Sequence, residues 1–397
     1  MTVKYATRMA QVKPNAIGEL LRLGAEPGII SFGGGYPDAS LFPLDKLNAL
    51  YSEAITRHGQ TALQYTVSNG LPQLRAQIAA RMTASGTQCD ADDVLVLQGG
   101  QQGLDLAAKL LVDPDDVIIT ENPTFLGALI AFDSCQPRYV TVRIDADGMD
   151  TDDLARVLKA NPAAKMIYTV PDFQNPTGVT MSLARRQRLL ELANRHGVTI
   201  LEDTPYREIR YQGEHLPTLK SLDSEGRVIH LGSFSKILVP SMRLGWAVAS
   251  RDVIAKLGLL KLAADTQCST LNMAVTSMFM ERHDIDAHVA TIRETYGRKK
   301  ELMLATMRQA FPQEVSFTDP QGGLFTWLTF PKGFDAAKFM LEQALPRAKV
   351  AYVPGATFFP VEQEANHARI NYSAQPDELI VKGIVALGQL LKAELSR

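Results

Sequence analysis

The run Ser233-Phe234-Ser235-Lys236-Ile237-Leu238-Val239-Pro240-Ser241-Met242-Arg243-Leu244-Gly245-Trp246 places one lysine between two hydroxyl residues and an arginine in an otherwise apolar segment. A lysine in such surroundings is expected to be at least partly buried. Burial disfavours the ammonium form, and the free amine is a nucleophile toward an aldehyde. The hydroxyls of Ser233 and Ser235 and the guanidinium of Arg243 are donor types that hold a phosphate. An aldehyde that bears a phosphate is pyridoxal phosphate. Taken alone, the same residues are more often a polar loop beside a surface ion pair, so the remaining contacts must come from the rest of the chain.

Those contacts need a scaffold, and the hydrophobic pattern reads as alternating strands and helices. Residues 94–97 form a continuous apolar run, the mark of a strand buried on both faces. Gln98-Gly99-Gly100-Gln101-Gln102-Gly103 follows, and then a helix over 104–111; a glycine loop entering a helix offers backbone N–H groups to a phosphate. Strand 117–120 exits into Glu121-Asn122-Pro123-Thr124-Phe125, ahead of a helix over 126–132. Phe125 there either stacks on a flat ring or packs in the core. Strand 165–170 ends in Pro171-Asp172-Phe173-Gln174-Asn175-Pro176-Thr177-Gly178, where the Asn175 amide is a donor. A helix over 183–196 leads to strand 198–201 and Glu202-Asp203-Thr204-Pro205-Tyr206. Asp203 either caps the next turn or, with pyridoxal phosphate as ligand, keeps the ring nitrogen protonated. Tyr206 lies three residues on, in reach of the ring's phenolic oxygen. Strand 227–232 then delivers Ser233 and Lys236 to the same sheet edge.

Ahead of these elements, a helix over 15–23 has Asn15 as its cap and Gly18 as a weak point. Strand 29–32 runs into Gly33-Gly34-Gly35-Tyr36-Pro37-Asp38, which is either a close backbone approach to a ligand or a flexible turn. Helices over 44–58 and 71–85 flank the turn-rich loop 64–70 around Tyr65.

Composition excludes several classes. With 397 residues, 46% hydrophobic and 21% charged, the chain is an ordinary globular protein of two or three domains. A net charge of -2 gives no electrostatic reason to expect nucleic acid or an anionic membrane. Cys89, Cys135 and Cys268 are scattered and odd in number, which fits a reducing, cytoplasmic setting and no thiolate metal site. The seven histidines show no paired helical spacing, and no metal is expected. Residues 1–14 lack the apolar core of a secretory signal, and no run is long enough to span a membrane.

In combination these blocks are specific. The chain resembles the class I/II pyridoxal-phosphate aminotransferases, and within them the 2-aminoadipate and kynurenine aminotransferase branch. The resemblance rests on residues 32–38, Gln64-Tyr65, residues 101–105 and 171–178, Asp203-Thr204-Pro205-Tyr206, Ser233-Phe234-Ser235-Lys236 and Arg369-Ile370-Asn371-Tyr372-Ser373, in that order. It covers roughly residues 15–390. It implies fold type I: an α/β architecture with a doubly wound, mostly parallel sheet in a large domain over 49–285, and a smaller α+β domain from residues 1–48 and 286–397. A long helix starting near Arg282 would link the two. Lys236 would bond the cofactor covalently and later shuttle a proton. Asp203 would hold the ring nitrogen, Asn175 and Tyr206 the ring oxygen, and Phe125 the ring face. The phosphate would meet the backbone of Gly100 and Gln101, Ser233, Ser235, Arg243 and, from a second subunit, Tyr65. Arg369 would grip the substrate α-carboxylate with Gly35 backbone and Asn175. A homodimer with shared active sites follows.

Two positions depart from the resembled pattern. Gly100 stands where relatives usually carry a small hydroxyl residue, which removes one phosphate contact. Gly18 stands where aminoadipate-type members carry an arginine for the distal carboxylate, with Arg22 one turn further on. The sequence therefore predicts transfer from a neutral, hydrophobic or aromatic L-amino acid to 2-oxoglutarate or pyruvate by a ping-pong mechanism. A β-lyase or decarboxylase on the same cofactor, and an acidic 2-aminoadipate-type donor, remain alternatives. A ligand-sensing regulator ranks last, because the match begins too early to leave room for a DNA-binding domain.

Overall fold

Apolar runs flanked by glycine and proline become the strands of one large sheet. The computed structural model describes residues 3–10 and 26–396. After a short N-terminal strand, β1 (Ile30–Ser31), the large sheet is built from β2 (Val94–Leu97), β3 (Val117–Asn122), β4 (Arg138–Asp145), β5 (Gly148–Met149), β6 (Met166–Thr169), β7 (Thr199–Asp203), β8 (Val228–Ser233) and β9 (Gly245–Val248). Their spatial order is β2-β9-β8-β7-β6-β3-β4-β5. From β4 to β8 the neighbours are parallel, whereas β9 runs antiparallel between β8 and β2, and β5 antiparallel at the far edge.

Parallel strands buried on both faces require helices on both sides. Alternate residues divide accordingly. Ile118, Met166, Tyr168, Leu201 and Ile229 enter one hydrophobic core, and Val117, Ile119, Ile167, Ile200 and Val228 enter another on the opposite face. Helix Leu183–His196 shows how the sequence sets these limits. Ser182 accepts from Arg185 N at its start, and Gly197 ends it at φ 70, a conformation a residue without Cβ adopts at little cost.

A smaller antiparallel sheet has the order β10 (Ser316–Phe317), β11 (Phe325–Thr329), β14 (His367–Asn371), β13 (Val353–Pro354). Beside it β1 pairs in parallel with β12 (Val350–Ala351). Helix Ile285–Ala310 joins the two regions, spanning about 39 Å at 1.5 Å per residue. Its first half, with Ile285, Val289 and Ile292, packs in the main core, and its second half, with Met303, Leu304 and Met307, packs with Ile380, Ile384 and Leu387. The buried Lys299 ties this helix to Asp38 at 2.6 Å and to the Ser373 carbonyl at 3.0 Å. Residue 49 falls inside helix Leu44–Ala62, and both Leu47 and Leu50 belong to the main core. The expected helix over 15–23, with Gly18 and Arg22, lies outside the described residues. No helix among the described residues is long and apolar enough to cross a membrane, and none of their His, Cys, Asp or Glu residues group to hold a metal.

Candidate active site

Parallel strands place their carboxyl ends on one edge of the sheet, and the chain's polar side chains collect there. Asp203 ends β7, Ser233 ends β8, and the turn carrying Lys236 follows at once. The 171–178 turn after β6 brings Asn175, and the helix after β2 brings Gly100 and Gln101. From the smaller sheet comes Arg369 on β14, and the segment after β1 brings Gly33 and Gly35. Together these residues line one cavity of about 350 Å³ with Phe125, Tyr206, Ser235 and Arg243.

The carboxyl of Asp203 is buried and accepts one side-chain hydrogen bond, from Tyr168 at 3.0 Å. Burial outweighs that bond and pushes its pKa up to about 7. A cation against this oxygen would restore the charged form, which suits a protonated ring nitrogen. Asn175 Nδ2 donates to the Tyr206 hydroxyl at 3.2 Å, so both groups converge where a phenolate oxygen would need donors. Lys236 Nζ donates to the Gly35 carbonyl at 2.8 Å. Desolvation, followed by the charges of Arg369 and Arg243, lowers its pKa to about 8, so a substantial fraction of free amine exists near neutral pH.

At the other end of the cavity, helix Gly100–Leu111 starts at Gly100, four residues earlier than its apolar pattern predicts. Gly99 gives it no side-chain cap, and the first N–H groups of a helix have no acceptor of their own. Close approach requires glycine on both sides of this turn. A Cβ at Gly99 would sit 2.5 Å from an Arg243 guanidinium nitrogen, and one at Gly245 would lie 3.0 Å from the Gly100 nitrogen. Backbone donors, Ser233, Ser235 and Arg243 thus form a cradle that fits a phosphate, although Gly100 brings no hydroxyl.

Arg369 is 5% exposed; it donates to Asn175 Oδ1 at 2.9 Å and to the Gly33 carbonyl at 2.7 Å, while its buried Nε has no partner among the described residues. Its guanidinium lies 4.2 Å from the Phe325 ring centre and 5.1 Å from that of Phe358. Burial lowers its pKa to about 10, yet it stays charged at neutral pH. A cation held this dry calls for an anionic ligand.

Of the expected site residues only Tyr65 is absent from the cavity; it is 80% exposed on the 64–70 loop. Several contributors carried no signal of their own in the sequence. Tyr168 supports Asp203. Glu121, fully buried, accepts from Thr169 at 2.5 Å and Gln174 at 3.0 Å, and so anchors the turn that carries Asn175. Asp172 pins the same turn between Arg186 at 2.8 Å and Arg207 at 3.2 Å.

The description "Aminotransferase class I and II" belongs to the family model that matches residues 34–387. An aromatic-amino-acid aminotransferase of Thermococcus litoralis is 38% identical, with 99% of this chain and 95% of the relative covered. Among solved structures, a kynurenine aminotransferase of Pyrococcus horikoshii superposes with TM-score 0.94 at 35% identity, covering 98% of this chain and 97% of that one. An alpha-aminoadipate aminotransferase of Thermus thermophilus, solved with N-(5'-phosphopyridoxyl)-L-leucine, gives 0.92 at 34% identity over 99% and 98%.

Proposed function

The chain belongs to the class I and II aminotransferases, and on that premise we propose that it moves the amino group of a neutral, hydrophobic or aromatic L-amino acid to pyruvate or 2-oxoglutarate. It is a pyridoxal-phosphate enzyme of fold type I. The bound cofactor supplies an aldehyde for the incoming amino group and a ring that draws electrons from the Cα–H bond.

The chain's own residues do the rest. Lys236 Nζ would hold the cofactor's aldehyde carbon and would carry the proton from Cα. Asp203 would keep the ring nitrogen protonated, and Asn175 and Tyr206 would donate to the ring oxygen. Phe125 would lie against the ring face. Gly100, Gln101, Ser233, Ser235 and Arg243 would hold the phosphate. Arg369 presents its planar fork to the α-carboxylate, with Asn175 and the Gly35 backbone beside it. The observation that carries this reading is the meeting of Lys236, Asp203, Asn175, Tyr206 and Arg369 in one cavity from two sheets.

Donor class follows from the rest of the lining. Leu104, Leu126, Ile130, Val170 and Phe358 are apolar, and the cations among the described lining residues are Lys236, Arg243 and Arg369, each with a task already. A second carboxylate on the donor would lose its water without gaining a partner, at a cost of several kcal/mol. In a half-reaction without oxo acid, followed by the cofactor's absorbance, phenylalanine should convert the enzyme with kcat/KM at least about tenfold above 2-aminoadipate. Conversion by glutamate and 2-aminoadipate alone, with leucine, methionine and phenylalanine inert, contradicts the donor assignment and leaves amino transfer standing.

We also propose the homodimer and the cytoplasmic setting, with a large domain over 49–285. Tyr65 stands on a loop with Leu63 at 66% and Val67 at 54% exposure. The loop is bonded to the 267–270 segment, through Thr66 N to Gln267 and Thr270 Oγ1 to the Gln64 carbonyl. The neighbouring helix Arg251–Asp265 exposes Leu259 at 68% and Leu262 at 51%. Large apolar side chains so exposed call for a covering surface. Sedimentation should give a dimer, and Tyr65→Phe should weaken cofactor retention without changing that mass; a monomer of full activity contradicts the shared site. Free Cys89, Cys135 and Cys268 support the reducing setting.

A further inference from the structure

A second cavity, of about 830 Å³, lies behind the first on the opposite face of the large sheet. Strand geometry places it there. Successive side chains alternate between faces, so Asp203 looks into the catalytic cavity while Thr204 and Glu202 look away from it. His230 pairs with Glu202 across β7 and β8, and Trp246 lies against Gly232 on the same side. Thr204, His230 and Trp246 form the floor, and helix Pro72–Ala84, the 215–222 segment and the start of helix Ile285–Ala310 form the walls.

This cavity is rich in donors and short of acceptors. Arg81 is paired, with Glu208 and with Asp286 at 2.7 Å. Arg207 has only a share of the buried Asp172, which also faces Arg186 and, at 3.8 Å, Arg210. Arg293 donates to the Glu208 carbonyl at 2.6 Å and lies 3.4 Å from His215 Nε2, with no carboxylate partner among the described residues. Of the three guanidiniums that line the cavity, Arg81 thus takes both lining carboxylates, Glu208 and Asp286, and leaves none for Arg207 and Arg293. His215 adds no negative charge. Burial and the charges of Arg207 and Arg293 lower its pKa to about 4, which keeps it neutral. Glu202, beneath His230 and outside the lining, is already engaged by His230 at 2.9 Å and by the Leu219 and Lys220 nitrogens. Trp246 lines the floor with its ring, in a residue 4% exposed.

We propose that this cavity binds a small oxyanion, with Arg293 and Arg207 as its charged contacts and the Trp246 ring on its floor. The excess of guanidinium sets the sign of the ligand, and the hydroxyls of Thr204, Thr218 and Ser221 suit oxygen acceptors.

Trp246 supplies the readout, because the chain has two tryptophans and Trp327→Phe leaves it alone. The cofactor-loaded enzyme is used, so that the phosphate cradle at Gly100 is already filled, and the probe is inorganic phosphate. The expected result is a saturable change in Trp246 emission, matched by single-site heat in calorimetry on the unsubstituted enzyme. Arg293→Gln should weaken binding by about tenfold or more. Ser221→Glu, which adds a carboxylate to the wall and removes no arginine, should abolish it. Absence of saturable heat and of any emission change up to tens of millimolar phosphate overturns the proposal. So does binding that survives both substitutions undiminished, since the anion then sits elsewhere.

Discussion

Lys236→Ala will lose amino transfer by at least about 10³-fold, as expected when a nucleophile and proton carrier in one side chain is removed. The fold should survive. Lys236 is half-buried, and among the described residues it makes no ion pair and one side-chain hydrogen bond, to the Gly35 carbonyl. Its burial depresses its own pKa, so removal relieves a desolvated cation rather than stranding a carboxylate. The check is single-turnover kinetics beside a melting curve. Lost turnover with an unchanged melting temperature is expected, and near-normal turnover would exclude Lys236 from the chemistry.

Arg369→Ala should lower kcat/KM for the amino donor by roughly 10²- to 10⁴-fold. Two charge-assisted hydrogen bonds to a carboxylate are lost, at about 1.5–3 kcal/mol each, and each 1.4 kcal/mol is tenfold. Arg369→Lys should recover part of the charge and little of the planar fork. The cofactor should stay bound in both variants, because Arg369 touches Asn175 and Gly33 and lies outside the phosphate cradle. A variant with an unchanged KM and kcat would remove Arg369 from carboxylate recognition.

Much of the fold was legible because local signals agreed. Val94–Leu97, Leu126–Phe132 and Leu183–His196 fall where continuous apolar runs, caps and breakers place them. The elements that local signals miss depend on partners. Arg138–Asp145 is a half-exposed strand with arginines at 138 and 143, and it exists through its pairing with β3. Gly245–Val248 reads as the tail of the lysine segment until β2 and β8 enclose it.

At the site, residues with distinctive chemistry were readable one by one: the lysine, the carboxylate at a strand end, the asparagine between prolines, the arginine in its motif. Their supports were not. Tyr168 reaches Asp203 only because β6 and β7 pair with Tyr168 opposite Leu201, and that register is set by the whole sheet. Glu121 was readable as a loop residue, but its buried bonds to Thr169 and Gln174 cross between strands. The rings beside Arg369 come from β11 and from the segment after β13, joined to it by the smaller sheet.

The account turns on which atom holds the cofactor. Borohydride reduction of the loaded enzyme, followed by digestion and mass analysis of the peptides, reads that directly. The prediction is one phosphopyridoxyl group on Lys236 and none after prior conversion with an amino donor. Reduction that marks another lysine, or none, contradicts it.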